Sequence, residues 1–314
     1  MRDLVVSFLT LSFVLVLGCS SKEGAFFEST SGSSNDLILI SSGDSNTRSV
    51  LLYNQDGSFN RILYDYRTDL GLPRGIAPFD SESVVVSLDN TDRVSRVYWK
   101  GENAGSEELF ANSGLGGAIY QLTTSEAGDV FVVESNYIER YDSTGARVGT
   151  PYIGTTEGSC VLSSPRGIFH TSDDRLIVTN HGGSDQLLIY DVSDPFSVTC
   201  LSANNIGNNP YGVIEHSDGN LYVVTQGDDQ VYRTDSDGSN ATSIWSTDTS
   251  IINNPTGIIE LANGNLAIAS SANDQVWEMD TSGTLANTSP LILDPLVLNI
   301  TDIKTYPANF GGDE

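Results

Sequence analysis

Arg74 and Arg166 occupy the same place in a motif that the chain repeats, and their side chains are well suited to bind an anion. Each follows the proline of a Pro-x-Gly-Ile/Val sequence, which begins at Pro73, Pro165, Pro210 and Pro255. The chain contains only 12 arginines and 3 lysines, so two arginines at one repeated position exceed what chance placement suggests. A guanidinium group binds carboxylate and phosphate groups through paired, charge-assisted hydrogen bonds.

The Pro-x-Gly motif marks a repeat of about 45 residues. Its prolines are separated by 92, 45 and 45 residues, and the longest gap spans two periods. Degenerate copies without the proline and glycine fit the same period at Ile119 and Ile300. A fixed period of this length is typical of repeat architectures, and the chain therefore has six repeat starts.

Each repeat predicts four short β-strands. In the repeat that starts at Pro210, apolar runs rich in Val, Ile and Tyr cover 211–215, 220–225, 230–234 and 242–246. These runs lack helical spacing, and turn residues separate them. Six such repeats predict an all-β fold, a six-bladed β-propeller with four strands per blade. Because 36–64 supply only three strands, we expect the C-terminal strand at 299–304 to complete the first blade and close the ring.

The alignment of the repeats places one residue of each blade at the channel mouth, the face of the ring where first strands begin and second strands end. The residues after the Pro position are Arg74, Tyr120, Arg166, Tyr211, Thr256 and Thr301. We interpret them as a cationic, aromatic-lined funnel for a carboxylate or phosphate group. The alternative is that the two arginines pair with acids of nearby loops, namely Asp89, Asp92, Asp185, Asp228 or Asp229.

Recurring aspartates are predicted to be turn residues. Asp-x-x-Gly follows the third strand of most repeats, as at Asp142 and Asp280, and Asp-Gln-Val or Asp-Gln-Leu precedes that strand at Asp185, Asp229 and Asp274. Aspartate side chains accept hydrogen bonds from nearby backbone N–H groups in turns. Recurrence at one position of each repeat favours this structural role over a calcium site.

Few catalytic motifs are present. Of the three histidines, His181 falls on the mouth side, and we expect His170 and His216 to be solvated in turns on the opposite face. One histidine cannot form a zinc cluster. The sequence has no Gly-x-Ser-x-Gly elbow and no glycine-rich phosphate loop that opens a helix. The sequence therefore gives no catalytic residue and favours a protein that is not an enzyme.

The N-terminus predicts export and lipidation. Residues 4–17 are almost entirely apolar; they are too few to span a membrane, which takes about 20 residues, but they suit a signal peptide. Gly18-Cys19 resembles a bacterial lipobox, in which the cysteine carries acyl chains that anchor the protein. The alternative is an ordinary signal peptide that happens to contain a cysteine. Serine at position 20, directly after the cysteine, resembles the sequence of lipoproteins that are sorted to the outer membrane. We therefore expect the protein to be anchored to that membrane, on its periplasmic or its outer side.

These features predict four segments. They are a signal peptide over 1–18, a lipidated Ser/Gly-rich tether over 19–35, the propeller over 36–306 and a tail over 307–314. Besides Cys19, the exported chain has Cys160 and Cys200, an even pair in an oxidising compartment. A disulfide between them is the favoured interpretation, and two free thiols are the alternative.

The charge of the chain excludes several partners. Fifteen basic and 41 acidic residues give a net charge of -26. A field of this sign argues against nucleic acid and anionic lipid as partners. We therefore expect a monomer that contacts the membrane only through its lipid anchor.

Three segments resemble known propeller repeats. Pro-Tyr-Gly-Val at 210–213, Asp-Gly-Asn-Leu-Tyr-Val-Val-Thr at 218–225 and Leu-Ile-Val-Thr-Asn-His at 176–181 are similar to NHL and YVTN repeats, and more distantly to gluconolactonase-type propellers. The resemblance covers nearly all of 36–306 and concerns turn and packing positions, so it implies fold more than function. NHL domains usually bind proteins or RNA, and the charge argues against RNA here. YVTN proteins are mostly extracytoplasmic, which agrees with the lipobox.

The resemblance to gluconolactonase-type enzymes also implies a candidate metal site. Those enzymes hold a divalent cation at the channel mouth with Glu, Asn and Asp side chains, and Glu134 and Asn180 stand where second strands end. Leu88 and Ser270 stand at the matching positions of other repeats, where further ligands would be needed. Because calcium takes roughly six to eight oxygen ligands, no cofactor is predicted, and calcium held by Glu134 and Asn180 is the alternative.

The sequence thus predicts an envelope lipoprotein whose propeller is a non-enzymatic scaffold for a protein, a peptide or a glycan. One alternative is a metal-dependent hydrolase of the lactonase or esterase type with its site at the channel mouth. Another is a sensor that binds a small anion through Arg74 and Arg166.

Overall fold

The computed structural model describes residues 36–68, 71–245 and 248–307. The predicted signal peptide, Cys19, the tether and residues 308–314 lie outside these ranges. Within them the chain is almost entirely β-structure, and no helix has the length and apolar character needed to cross a membrane.

Six antiparallel sheets form the blades of the propeller. Blade 1 comprises β1 (Leu37–Ser42), β2 (Ser49–Asn54) and β3 (Phe59–Asp65), with β25 (Ile300–Tyr306) as its innermost strand. Blade 2 comprises β4 (Leu72–Asp80), β5 (Ser83–Asp89), β6 (Arg93–Tyr98) and β7 (Glu107–Ala111). Blade 3 comprises β8 (Ile119–Thr124), β9 (Val130–Glu134), β10 (Tyr137–Tyr141) and β11 (Arg147–Ile153).

The remaining blades follow in chain order. Blade 4 comprises β14 (Pro165–His170), β15 (Arg175–Asn180), β16 (Gln186–Asp194) and β17 (Ser197–Asn205). Blade 5 comprises β18 (Pro210–Glu215), β19 (Leu221–Thr225), β20 (Gln230–Thr234) and β21 (Thr242–Ser243). Blade 6 comprises β22 (Pro255–Glu260), β23 (Leu266–Ser270) and β24 (Gln275–Met279), and its outer position is taken by isolated bridges from Leu285 and Ile292. A small hairpin, β12 (Thr156–Glu157) and β13 (Cys160–Val161), precedes blade 4, and a 3₁₀ turn covers Ser271–Asn273.

The ring closes as predicted from the incomplete first repeat. β25 pairs antiparallel with β1, from Leu37 opposite Tyr306 to Ser42 opposite Ile300. Each innermost strand also contacts the innermost strand of the next blade, including β22 with β25. The six-bladed β-propeller predicted from the sequence is confirmed.

The second strands are buried over all or nearly all of their length because each lies between two neighbouring blades. Every residue of β9, β19 and β23 is buried, so these strands appear in the sequence as continuous apolar runs rather than as alternating ones. In contrast, outer strands such as β3 and β17 are exposed or partly exposed over most of their length. The core therefore consists of apolar layers between blades.

The repeated glycine allows neighbouring innermost strands to approach closely. A Cβ atom at Gly167 would lie 1.9 Å from the carbonyl oxygen of Tyr211 in the next blade. The Thr179 hydroxyl bridges the same junction, since it accepts a hydrogen bond from Gly167 N–H (2.7 Å) and donates one to Tyr211 O (2.5 Å). Ser87 makes the corresponding bridge between Gly75 and Tyr120. The Pro-x-Gly motif is thus explained by packing around the channel.

The Asp-x-x-Gly motif forms the expected turns. Asp142 Oδ1 accepts hydrogen bonds from the N–H groups of Thr144 (2.9 Å) and Ala146 (3.0 Å). Asp280 does the same for Ser282 and Thr284, both at 2.9 Å. These carboxylates are engaged by the backbone of their own hairpins.

Candidate ligand site at the channel mouth

Tyr211 is the centre of the candidate site. Its side chain is 6% exposed, and its hydroxyl lies in the electrostatic field of four residues from four other blades, which are Arg74, Arg166, Tyr120 and Asp302. Burial raises the pKa of Tyr211 to about 12, against the opposing effect of the two arginines. The hydroxyl therefore stays protonated at neutral pH, and within the described ranges no hydrogen-bond partner is found for it.

Arg166 presents an uncompensated positive charge beside Tyr211. Its guanidinium lies over the ring of Tyr120, 3.7 Å from the ring centroid, and Nη1 donates to the Pro165 carbonyl oxygen at 3.2 Å. No carboxylate of the described residues lies within ion-pair distance of Arg166. For this arginine, the predicted pairing with a loop acid is not observed.

Arg74 differs, because it forms the ion pair that the sequence offered as the alternative. Nε and Nη2 both donate to the same oxygen of Asp89, each at 3.2 Å, and both side chains are partly exposed. The charge of Arg74 is therefore partly neutralised, and Arg166 supplies most of the positive character of the mouth.

His181 lies next to Arg166 and is partly buried. Burial and the neighbouring guanidinium lower the pKa of the imidazole, and Asp185 opposes them. Nδ1 is buried and has no hydrogen-bond partner among the described residues. His181 is therefore neutral at pH 7 and has a ring nitrogen that no described residue satisfies.

Thr256 and Thr301, which the sequence placed in the same ring, have hydroxyl groups that bond to neighbouring blades. Both are buried. Thr256 Oγ1 donates to the Ile300 carbonyl oxygen and Thr301 Oγ1 to that of Pro73, each at 2.8 Å. These hydroxyl groups connect neighbouring blades, so they are not free to donate to a ligand at the mouth.

Gln121 and Asp302 form a floor beneath the mouth that the sequence did not predict. They occupy the glycine position in the two degenerate repeats, and both side chains are 0% exposed. Gln121 Nε2 reaches the Thr256 carbonyl oxygen at 2.8 Å, and Asp302 Oδ2 accepts from Ile76 N–H at 3.1 Å. A Cβ atom at Gly257 would lie 3.5 Å from Asp302 Oδ1, so this glycine leaves room for the Asp302 side chain.

Glu134 is buried under the loop that precedes β8. Oε1 accepts a hydrogen bond from Gly116 N–H at 3.1 Å, and Oε2 is buried. Burial, followed by the Glu134 carboxylate, raises the pKa of Tyr137 to about 12. The contacts of Glu134 are thus with its own blade, and it holds the loop at the edge of the mouth.

Asn180 is engaged by the backbone of the segment before β14. Oδ1 accepts from Ser163 N–H at 2.7 Å, and Nδ2 donates to the Val161 carbonyl oxygen at 3.1 Å. Within the described ranges, no three His, Cys, Asp or Glu side chains are grouped so as to hold a metal ion. A calcium ion at Glu134 and Asn180 would have to compete with the bonds of Asn180, and this site stays a prediction.

A set of aspartates links the blades on the mouth side, and the sequence did not predict these links. The Oδ1 atoms of Asp185, Asp229 and Asp274 accept hydrogen bonds from the N–H groups of Asn209 (3.1 Å), Asn254 (2.6 Å) and Asn299 (2.6 Å). Each asparagine directly precedes a repeat start, and all six residues have positive φ angles, which Asn and Asp tolerate better than most residues. The sequence did contain a signal for these links, because each asparagine stands directly before a repeat start and follows an aspartate by 24 or 25 residues.

The other two histidines are buried, so the expectation that they are solvated is wrong. His170 is stacked on the Phe131 ring, with 5.6 Å between ring centroids. His216 Nε2 lies 3.0 Å from the Gly264 carbonyl oxygen, and its Nδ1 accepts from Asp218 N–H. Both have structural contacts between strands or blades.

Cys160 and Cys200 form a disulfide bond. It joins the β12–β13 hairpin to the outer strand of blade 4. The disulfide therefore restrains the segment before β14, which Asn180 also contacts.

Several solved structures are similar to this chain. A chain of the crystal structure of the nidogen/laminin complex matches with a TM-score of 0.66 and 15% identity, over 86% of this chain and 98% of that chain. Streptogramin B lyase matches with a TM-score of 0.56 and 16% identity, over 76% and 85% of the two chains. A catalytically inactive histidine-to-alanine variant of virginiamycin B lyase from Staphylococcus aureus with quinupristin matches with a TM-score of 0.55 and 19% identity, over 78% and 86%.

These similarities show a shared β-propeller fold. No protein-family model matches the sequence, and a search of curated proteins gives no match either. The resemblance to NHL and YVTN repeats therefore stays a prediction, as does the lipoprotein signal.

Proposed function

We propose that this protein is an interaction scaffold of the bacterial cell envelope, which holds a protein, a peptide or a glycan at its channel mouth. The observation that carries the proposal is the convergence of Arg166 and Tyr211, from two blades, with polar atoms that are not engaged by described residues. Both residues lie near the start of an innermost strand, β14 or β18, and sites built on strands of a scaffold are positioned more precisely than sites on loops. The nidogen/laminin complex supports the proposal only in that a propeller of similar fold occurs in a complex of two proteins.

The rigidity of the ring supports binding without large rearrangement. The three Asp–Asn links and the Thr179 and Ser87 bridges connect neighbouring blades close to the mouth. Side chains held in place before binding lose less conformational entropy when a ligand arrives. The mouth is thus built as a fixed surface.

The proposed location agrees with the electrostatics. Lipidation of Cys19 would anchor the chain to the outer membrane, and the tether over 19–35 would separate the propeller from the lipid surface. The net charge of -26 keeps the propeller away from anionic headgroups. The mouth would then be free to meet a partner in the periplasm or outside the cell, with the protein as a monomer.

Crosslinking in intact envelopes tests the scaffold. We expect the wild-type protein and an Arg61→Ala control to capture the same partner, because Arg61 lies on the outer strand β3 and is exposed. The double variant Arg166→Ala/Tyr211→Phe should lose it. Equal capture by the mouth variant, or no reproducible partner for the wild type, would contradict the proposal.

A metal-dependent lactonase or esterase is the second candidate function. It is favoured by the buried His181 Nδ1, which has no hydrogen-bond partner among the described residues, and by the buried Glu134 carboxylate. Assays with a lactone, an ester and quinupristin would compare the wild type with His181→Ala and Glu134→Gln. The melting temperature after EDTA and after added calcium tests the metal, because a ligand at about 100 times its Kd adds roughly 2.7 kcal/mol of stability.

A further inference from the structure

The mouth combines one uncompensated cation with a neutral hydrogen-bond donor. Arg74 is paired with Asp89, whereas Arg166 has no carboxylate partner in the described part of the chain. Asp302, buried beneath them, contributes negative charge from below, and Asp185 does so beside His181. Lys304 Nζ lies 3.5 Å from Asp302 Oδ1 and offsets that charge. Arg166 is therefore the cation at the mouth that no ion pair among the described residues compensates.

The orientation of Arg166 leaves its hydrogen-bonding edge available. Stacking on Tyr120 engages the face of the guanidinium, and only Nη1 donates to a described residue, at Pro165 O. Nε and Nη2, which point along one edge of the planar group, make no such bond. An edge with two parallel N–H groups matches the two oxygens of a carboxylate, and the aromatic face fixes the group in place.

Tyr211 completes the donor set. Its pKa of about 12 keeps the hydroxyl protonated, so it donates to an anion and is not itself repelled by one. The side chains of Gln121 and Asp302 occupy the channel beneath these donors.

We propose that the channel mouth binds a carboxylate group, held by the Nε–Nη2 edge of Arg166 and by the Tyr211 hydroxyl. This inference rests on the proposed function and names the chemical group that the mouth recognises. A single cation favours a carboxylate over phosphate, which carries about −1.5 to −2 charges at neutral pH and would meet Asp302 below. The carboxylate belongs either to a peptide C-terminus or to a free small acid.

Calorimetric titration of the soluble propeller in a carboxylate-free buffer tests the inference. The probes are succinate, inorganic phosphate, and one short peptide prepared with a free and with an amidated C-terminus. We expect saturable binding of at least one free carboxylate. Arg166→Ala should raise its Kd about tenfold or more, and Tyr211→Phe should raise it several-fold, as expected for a charged and a neutral hydrogen bond. Arg61→Ala, with the same change of charge on an outer strand, should leave the Kd unchanged.

The outcomes separate the two sources and the two proposals. Tight binding of the free peptide, lost on amidation, identifies a C-terminus, and equal binding of succinate identifies a small acid. Stronger binding of phosphate, no saturable binding of any carboxylate, or equal Kd values for Arg166→Ala and Arg61→Ala would overturn the carboxylate site. If the titration showed no carboxylate binding but envelope crosslinking captured a partner that the mouth variant loses, the carboxylate site would be wrong and the scaffold would still be supported.

Discussion

Asp302 is a carboxylate whose surroundings disfavour its charge. It replaces the repeated glycine, lies fully buried in the channel and accepts hydrogen bonds from the N–H groups of Ile76 and Ile303, while Lys304 approaches to 3.5 Å. Burial raises its pKa to about 6 despite these partners. Because an unfolded aspartate titrates near pH 3.9, the folded state binds the proton more tightly.

The raised pKa predicts how stability depends on pH. The contribution of Asp302 is fully present below about pH 4 and is lost as pH rises through about 6. We expect the free energy of unfolding of the wild type, relative to Asp302→Asn, to fall by up to about 3 kcal/mol over this window. The variant keeps an oxygen that can accept from Ile76 N–H. Urea unfolding of both proteins from pH 4 to 7.5 measures the difference, and parallel profiles would show that Asp302 is not perturbed.

At the scale of elements, the loops between second and third strands connect one blade to the next. Asp229 Oδ1 binds Asn254 N–H while its own φ angle is 53°. Alanine removes the acceptor and tolerates this φ less well, whereas asparagine keeps both properties. We therefore expect Asp229→Ala to lower the free energy of unfolding by about 1–2 kcal/mol, and Asp229→Asn to lower it much less. Thermal unfolding checks this, and similar melting temperatures for the two variants would mean that the link contributes little.

The same elements show what a repeat reveals and what it hides. The 45-residue period predicted the strands, the degenerate start at Ile119 and the closure, because these depend on local apolar runs and turns. The inter-blade links of Asp185, Asp229 and Asp274 were interpreted as turns within a blade, since the sequence alone does not show which backbone a carboxylate meets. The floor was missed because Gln121 and Asp302 replace the glycine of the motif, and the sequence alone does not show that their side chains enter the channel.

At the mouth, the repeat predicted that Arg74, Tyr120, Arg166 and Tyr211 lie close together. It did not predict that only Arg74 forms an ion pair, because that depends on loop geometry.

At the scale of the whole molecule, the two ends of the described chain meet in blade 1. β25 supplies the innermost strand, pairs with β1, and contacts both β22 and β4. It also supplies Asp302 to the floor and Thr301, whose hydroxyl bonds Pro73 O. Without it, β1 would expose an unpaired edge and the ring would be open between blades 6 and 2.

Removal of β25 should therefore affect the whole propeller rather than one blade. We expect a chain that ends at Asn299 to lose cooperative unfolding and to aggregate, because the apolar residues Ile300 and Ile303 leave gaps in the core that they share with blade 6. A matched chain that ends at Pro307 retains β25, and we expect it to unfold in one transition, as we expect of the full-length chain. Calorimetry and size-exclusion chromatography of the two truncations compare them directly. A monomeric 299-residue truncation with an unchanged melting temperature would show that the ring does not depend on its closing strand.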